Sequence, residues 1–149
     1  MATPADLMKL EPQQLESIAE TLEKDIERFG EFFAQLSGAA GTFASSQQAV
    51  LALKDEKPGK PMLVPVTSSM YVRGTLADTS NVLVDIGTGY FAEKDVNAAA
   101  DFCARKVKML RGEAEKVQAV VQAKQQQHMQ ISQIAQMKQQ QAAKAAGSS

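Results

Sequence analysis

The sequence contains no tryptophan, and only 5% of its 149 residues are aromatic. A thick globular core normally draws more heavily on aromatic rings. A chain that is 44% hydrophobic but so poor in rings therefore favours thin helical packing. Cys103 is the single cysteine, which excludes an internal disulfide framework and is typical of a reducing compartment.

Long apolar runs are also missing. No stretch approaches the roughly 20 apolar residues that cross a bilayer. The first residues include acids and proline where a signal peptide has a basic segment followed by an apolar one. The formal net charge of −1 does not favour a nucleic-acid-binding protein. We therefore expect a cytoplasmic protein, with the nucleus as a second compartment, and neither a membrane nor a nucleic acid as partner.

Motifs that would carry chemistry are weak. Asp85-Ile-Gly-Thr-Gly89 resembles the phosphate-binding turn of actin-like ATPases, but no helix N-terminus is predicted after it, so a structural turn is the better interpretation. Lys57-Pro-Gly-Lys60 lacks the Walker spacing and is typical of a turn. His128 is the only histidine and no Cys/His cluster surrounds it. We expect a non-enzymatic protein with no catalytic residue, no metal and no cofactor.

The prolines divide the chain into three parts. All five lie between positions 4 and 65, and none lies between Pro12 and Pro58. Since proline interrupts helix interiors but is tolerated in the first turn, this gap predicts a helix over about 12–56. Residues 95–146 are helix-forming throughout and predict a second helix. Residues 61–94, rich in Val, Thr, Tyr and Gly, predict strands and turns. We expect residues 1–149 to form a single domain.

A seven-residue apolar repeat runs along the first predicted helix. Its first row is Leu15, Leu22, Phe29, Leu36, Phe43 and Val50. Its second row, offset by three, is Ile18, Asp25, Phe32, Ala39, Ser46 and Leu53. The second helix repeats the pattern from Cys103 to Val121 and then meets polar residues, among them Lys124 and His128. Such a repeat predicts a coiled coil, and its decay predicts a loose far end.

Charge predicts that the two helices run antiparallel. Residues 1–31 hold eight acids against three Lys/Arg, whereas residues 116–149 hold four lysines and no acid. Folding back places the acidic start beside the basic end. The predicted fold class is therefore mainly α with a small β part: a long antiparallel helical coiled-coil hairpin with two β-hairpins between the helices.

The middle segment predicts two β-hairpins. Residues 62–66 and 70–74 form the first, and residues 81–86 and 90–93 form the second, around a Gly-Thr-Gly turn. Two such hairpins are only marginally stable alone, and little chain is left to cover their apolar faces. We expect these faces to bind strands of other chains, through Met62, Val64, Val66, Met70, Val72, Val82, Val84, Ile86 and Tyr90.

A second apolar surface is predicted at the free helix ends. Its residues are Leu7, Met8 and Leu10 on one side, and Met129, Ile131, Ile134 and Met137 on the other. The flexible thioether of methionine adapts to irregular surfaces, and several weak contacts together give multivalent capture. We expect these ends to bind non-native chains; ordinary packing within the hairpin is the alternative interpretation.

The middle segment resembles a known family. Leu63-Val-Pro-Val-Thr-Ser-Ser-Met-Tyr-Val-Arg-Gly-Thr-Leu76, followed by Val84-Asp-Ile-Gly-Thr-Gly-Tyr-Phe-Ala-Glu-Lys94, looks like an α-class subunit of prefoldin. Pro12-Gln-Gln-Leu-Glu16 resembles the start of the subunit-5 group of eukaryotic prefoldins. The resemblance runs over nearly the whole chain, and the middle segment is its specific part.

The resemblance implies a heterohexamer of two α-class and four β-class subunits, with the hairpins joined in a double β-barrel. The partners of this chain would then be β-class subunits and the second α-class chain. It also implies that non-native actin and tubulin are held at the coiled-coil tips, without ATP, and delivered to the cytosolic group II chaperonin. The alternatives are a coiled-coil adaptor that recruits folded partners, and an enzyme that uses the Gly-Thr-Gly turn on a nucleotide.

Overall fold

The computed structural model describes residues 10–146, with side chains as far as residue 141. Helix α1 spans Pro12–Ala52 and helix α2 spans Val96–Ala146. Between them lie strands β1 (Pro61–Pro65), β2 (Tyr71–Thr75), β3 (Asn81–Gly87) and β4 (Tyr90–Asp95). Two long helices with two small antiparallel hairpins between them confirm the predicted fold class. No helix within the described residues is long and apolar enough to cross a membrane.

Helix α1 begins where the sequence predicts and ends earlier. Pro12 occupies the first turn, and the side-chain oxygen of Gln14 accepts the N–H of Glu11 at 3.1 Å. The α-helix ends at Ala52 and continues only as the short 3-10 turn Leu53–Asp55, not to residue 56. Glu56 is extended, because the chain then turns through Lys57, Pro58 and Gly59, and proline disfavours helix just before it.

The two hairpins are separate two-stranded sheets. In the first, Val64 lies opposite Val72, and the hydroxyl oxygen of Thr67 accepts the N–H of Met70 at 3.1 Å to close the turn. In the second, Val84 lies opposite Ala92, and the register shifts between Asp85 and Gly87. Since each sheet has only two strands, every described strand has one paired edge and one free edge.

The Gly-Thr-Gly turn has a structural explanation. Gly87 and Gly89 have positive φ, at 113° and 80°, which glycine adopts without steric cost, and Thr88 between them has a φ of 53°. The carboxylate of Asp85 accepts the N–H of Gly87 at 2.8 Å and so braces the turn internally. Strand β4 follows at Tyr90, so this segment reverses the chain between two strands and precedes no helix.

Helix α2 follows strand β4 without a loop. The carboxylate of Asp95 accepts the N–H groups of Asn97 and Ala98, both at 3.0 Å, and so caps the helix. The N–H of Val96 donates to the carbonyl oxygen of Ser80 at 3.1 Å, which ties the helix start to the start of β3. Val96, Ala99, Ala100 and Cys103 are all buried. The start of α2 is therefore anchored by buried side chains as well as by its cap.

The chain divides into two compact units. We call Met1–Leu36 with Gly112–Ser149 the helical unit, and Ser37–Arg111 the hairpin unit. In the helical unit the helices run antiparallel: Asp25 pairs with Lys124, while Lys138 contacts the earlier residue Leu10. The prediction that residues 1–149 form one domain stays a prediction.

The inward face of α1 differs from the predicted one in its second row. The first row is correct, with Leu15 buried and the others half-buried. In the second row Ile18, Phe32 and Ser46 are exposed, so the assignment is wrong at these three positions, whereas Asp25, Ala39 and Leu53 are half-buried. The inward row starts one residue later: Ala19, Ile26, Phe33, Ala40 and Gln47. In a heptad repeat the second inward row follows the first by either three or four residues. The first row alone therefore does not decide which residues form the second.

The predicted row of α2 is confirmed along the described part. Cys103 and Ala114 are buried, and Val107, Leu110, Val117 and Val121 are half-buried. The row then continues inward through Lys124, His128 and Lys138, which are half-buried despite their polarity.

Candidate functional site

The hairpin β1–β2 exposes apolar side chains on both of its faces. Met62, Val64 and Val72 lie on one face and are exposed, and Val66 and Met70 beside the turn are exposed as well. On the opposite face Leu63 is 62% exposed and Tyr71 is also open to water. The sequence predicted only the first of these faces. The alternation that assigned Val64 to one side also assigns Leu63 to the other.

The hairpin β3–β4 has one covered and one exposed face. Val82 and Val84 are half-buried and line a cavity of about 420 Å³, together with Phe43, Val50, Phe102 and Cys103. The expectation that little of the chain is left to cover this face is therefore wrong for Val82 and Val84, because the nearby ends of α1 and α2 face them. Ile86, which lies at the register shift, and Tyr90, which pairs with Gly87 beyond it, are exposed as predicted.

The exposed face of β3–β4 is one that the sequence analysis did not identify. Leu83 is 71% exposed, and Phe91 is also open to water. Asp85 lies opposite Phe91 and Glu93 lies opposite Leu83, so this face combines two apolar side chains with two acids. Apolar residues framed by charged ones are typical of a polar-rimmed protein interface.

The free helix ends are closed in the structure. Leu15 is fully buried against Ile131, which is 4% exposed, and Ile134, which is 8% exposed. We call these three residues the helix-end cluster. Leu10, Ala19, Leu22 and Ala135 pack around it. The prediction of a loose end, with Ile131 and Ile134 exposed, is wrong for this structure, because both side chains pack against the first row of α1.

The remaining predicted client-binding residues have different surroundings. Met129 and Met137 are exposed, as expected, and Leu10 is half-buried. Leu7 and Met8 lie outside the described residues. A client-binding role for all of these side chains stays a prediction.

Polar residues of the helix interface find partners across it. Lys124 donates to Asp25 at 2.6 Å and its ammonium lies 5.6 Å from the centre of the Phe29 ring. The hydrogen bond from Lys124 lowers the pKa of Asp25 from its ordinary value, and desolvation opposes it in part. Lys138 donates to the main-chain oxygen of Leu10. These contacts explain why the interface continues past the point where its apolar repeat decays.

Two exposed apolar side chains lie beside the helix interface. Ile18 and Phe32 belong to the predicted second row of α1, and the Phe32 ring lies 6.4 Å from that of Phe29. Their separation of two heptads was the signal that placed them, incorrectly, inside the interface.

The described side chains offer surfaces for binding. Among residues 10–141 no group of three or more His, Cys, Asp or Glu side chains is placed to hold a metal ion. Cys103 is buried, as expected for a packed thiol. What distinguishes the chain is apolar surface: exposed on the hairpins and covered at the helix ends.

Comparison with known proteins identifies relatives across eukaryotes. The sequence matches the prefoldin family, described as "Prefoldin subunit", over residues 22–141. It is 37% identical over 124 residues to prefoldin subunit 5 of Homo sapiens, covering 83% of this chain and 80% of that protein. It is 35% identical over 106 residues to prefoldin subunit 5 of Arabidopsis thaliana, covering 71% and 70%.

The fold also matches a solved structure. It aligns with the cryo-EM structure of filamentous PFD from Methanocaldococcus jannaschii at a TM-score of 0.68, covering 74% of this chain and 92% of that one. The sequence identity is 21%, so this likeness establishes the fold alone.

Proposed function

Because the chain belongs to the prefoldin subunit family, we propose that it acts as one subunit of a multi-subunit, ATP-independent holding chaperone. Family membership confirms the resemblance found in the middle segment and agrees with a non-enzymatic role. The partners in this proposal are β-class prefoldin subunits and the second α-class chain.

The observation that carries the proposal is the exposure of β1–β2 on both faces. Fully burying one aliphatic side chain of this size contributes about 1.5–3 kcal/mol. The large apolar side chains on Met62–Val72 are 39–62% exposed, so each contributes part of this amount. Together they offset the lower part of an association cost of about 4–15 kcal/mol. The free strand edges add main-chain hydrogen bonds to a neighbouring strand. A strand of another subunit would both cover these apolar side chains and pair with a free strand edge.

We further propose that the assembly holds non-native actin and tubulin at its helix ends and passes them to the cytosolic group II chaperonin. Exposed Met129 and Met137 support capture, since methionine adapts to apolar segments of varied shape. Release needs no nucleotide when a competing binder takes the same apolar segments. The cytoplasm, with the nucleus as a second compartment, is the expected location, and fractionation of cells that express the tagged chain checks it.

Assembly is tested by native mass spectrometry after co-expression with β-class subunits and a second α-class chain. The wild-type chain is expected in a heterohexamer. Leu63→Ser combined with Tyr71→Ser removes two exposed side chains of the hairpin and is expected to abolish that mass. Met109→Ser, at an apolar position on α2 that is 52% exposed, is the control and should leave the hexamer intact. A wild-type chain that remains a folded monomer beside its partners contradicts the proposal.

Client holding is tested by light scattering of actin diluted from denaturant. The wild-type assembly is expected to suppress aggregation without ATP. Met129→Ser combined with Met137→Ser should weaken suppression, whereas Met109→Ser on the same helix should not. Equal protection by all three assemblies would remove the helix ends from the proposal while leaving subunit assembly untouched.

A further inference from the structure

The cavity of about 420 Å³ behind β3–β4 has the size and the lining of a small-molecule site. Ligand pockets commonly measure about 300–1,000 Å³ and are lined mainly by apolar and aromatic side chains. Much of the wall here is apolar, formed by side chains of α1, β3 and α2: Phe43, Val50, Val82, Val84 and Phe102. All of them belong to the hairpin unit, so the cavity is a feature of that unit alone.

Three polar side chains also line the cavity: Ser46, Asp85 and Lys106. Asp85 is exposed, and its carboxylate already accepts the N–H of Gly87. Lys106 is half-buried, and its ammonium group lies 5.6 Å from the centre of the Phe102 ring. Within the described part of the chain no carboxylate forms an ion pair with Lys106. The apolar cavity therefore carries one cation that lacks an anionic partner among these residues.

We propose that this cavity binds a lipophilic carboxylate, whose apolar part enters between α1, β3 and α2 while its carboxylate group pairs with Lys106. The inference is independent of the proposed holding function, because it concerns neither the exposed hairpin faces nor the helix ends.

The position of Lys106 selects the charge of the ligand. Lysine lays its aliphatic stem along apolar surface and keeps its ammonium group at the boundary with water, where the Phe102 ring holds it. A carboxylate there accepts a charge-assisted hydrogen bond, which is stronger than one between neutral groups. An uncharged ligand of the same length gains only the burial of its apolar part, and a cationic ligand is repelled by Lys106.

Three ligands with one hydrocarbon chain and different head groups test the charge selection. Decanoate, decanol and decylamine are titrated calorimetrically into the full-length chain, below the concentrations at which they form micelles. Decanoate is expected to bind about three- to tenfold more tightly than decanol, because an ion pair at a half-buried position adds about 1 kcal/mol. Decylamine should bind most weakly. No decanoate binding, or tighter binding of decylamine, overturns the proposal.

A substitution of the lysine tests its role directly. Lys106→Met keeps an apolar stem of similar length and should remove the preference for decanoate over decanol, while Lys106→Arg should retain it. Lys108→Met, at an exposed position of the same helix that does not line the cavity, is the control and should leave the preference unchanged. A preference that persists in Lys106→Met overturns the assignment.

Filling the cavity tests the location of the apolar part. Ser46 is exposed and lines the cavity, so Ser46→Trp places a large ring there without replacing a buried side chain. Decanoate binding should be lost in this variant. Ser45→Trp adds the same ring at an exposed neighbouring position outside the lining and should bind decanoate as the wild type does. Binding that survives Ser46→Trp lies on another surface and overturns the proposal.

Cys103 allows a measurement that needs no substitution. Its buried thiol lines the same cavity, and it is the only cysteine of the chain. A bound ligand covers the thiol, so alkylation by N-ethylmaleimide should slow by roughly tenfold at a decanoate concentration of about nine times Kd. Decylamine at the same concentration should have little effect. An unchanged rate with decanoate bound overturns the proposal even if every variant folds poorly.

Discussion

The β1–β2 hairpin and the helix-end cluster contain the same kind of side chain in opposite relations to water. Val64, Val72 and Leu63 are exposed on a two-stranded sheet that has no second layer of its own. Leu15, Ile131 and Ile134 are buried because two helices of one chain meet there. An apolar surface that the chain leaves uncovered is available to a partner, whereas one that the chain covers itself contributes to the stability of its own fold.

The largest expected effect is a charge placed on the hairpin surface. Val72→Glu should prevent assembly, because burying an unpaired carboxylate against another subunit costs several kcal/mol. Val120→Glu is the matched control, since Val120 on α2 is 40% exposed and Val72 is 48% exposed. Sedimentation velocity of the co-expressed complex measures both variants. If Val120→Glu also abolished the complex, the hairpin surface would not differ from any other exposed apolar position, and the comparison would fail.

Next in size is a cavity in the helix-end cluster. Ile134→Ala should lower the free energy of unfolding by about 2–5 kcal/mol, as for other buried aliphatic truncations. Met129→Ala, an exposed neighbour on the same helix, should change it by less than about 0.5 kcal/mol. Urea denaturation followed by circular dichroism measures the difference. Equal effects would mean that the cluster is no more closed than the surface beside it.

A smaller effect is expected at the turn of the second hairpin. Gly89 has a φ of 80°, so Gly89→Ala should destabilise the protein by about 1–2 kcal/mol. Gly112→Ala is the opposite control, because Gly112 lies within α2 with open space around it and alanine favours helix by about 1 kcal/mol. Thermal unfolding should show the melting temperature falling in the first variant and rising in the second.

The smallest expected effect is the acid response of the helix interface. The native pKa of Asp25 lies below its ordinary value of 3.8, mainly because Lys124 donates a hydrogen bond to it. A lowered native pKa stabilises the folded state above pH 3.8, and this contribution is lost as the pH falls through the native value. Lys124→Met should therefore flatten the stability profile below pH 4, measured by urea denaturation at successive pH values. Lys116→Met, which removes the same charge from a more exposed pair, is the control.

The sequence predicts those parts of the fold that depend on local chemistry. The absence of proline from 13 to 57, the Gly-Thr-Gly turn and the alternating strands locate the helices and hairpins to within a few residues. The charge difference between the two chain ends predicts their antiparallel direction, which the Asp25–Lys124 pair reflects. These signals are carried by neighbouring residues and need no knowledge of packing.

The features that the sequence does not predict are those that depend on contacts between side chains far apart in the chain. Predicting the second inward row of α1 required a choice between Ile18 and Ala19 as its first residue. The structure exposes the larger Ile18 and half-buries Ala19. Ile26 and Phe33, one position after Asp25 and Phe32, were the available signal for the correct row. Burial of Ile131 and Ile134 depends on Leu15, more than 100 positions away, so helix composition alone suggested that both were exposed.

The capped start of α2 has a consequence for how the two helices join their hairpins. Strand β4 passes directly into the helix at Asp95, and Val96 is bonded to Ser80, so no linker residue separates the second hairpin from α2. Helix α1 reaches the first hairpin through a turn that contains Gly59 at positive φ. The two helices are thus joined to their strands in different ways, one directly and the other through a turn.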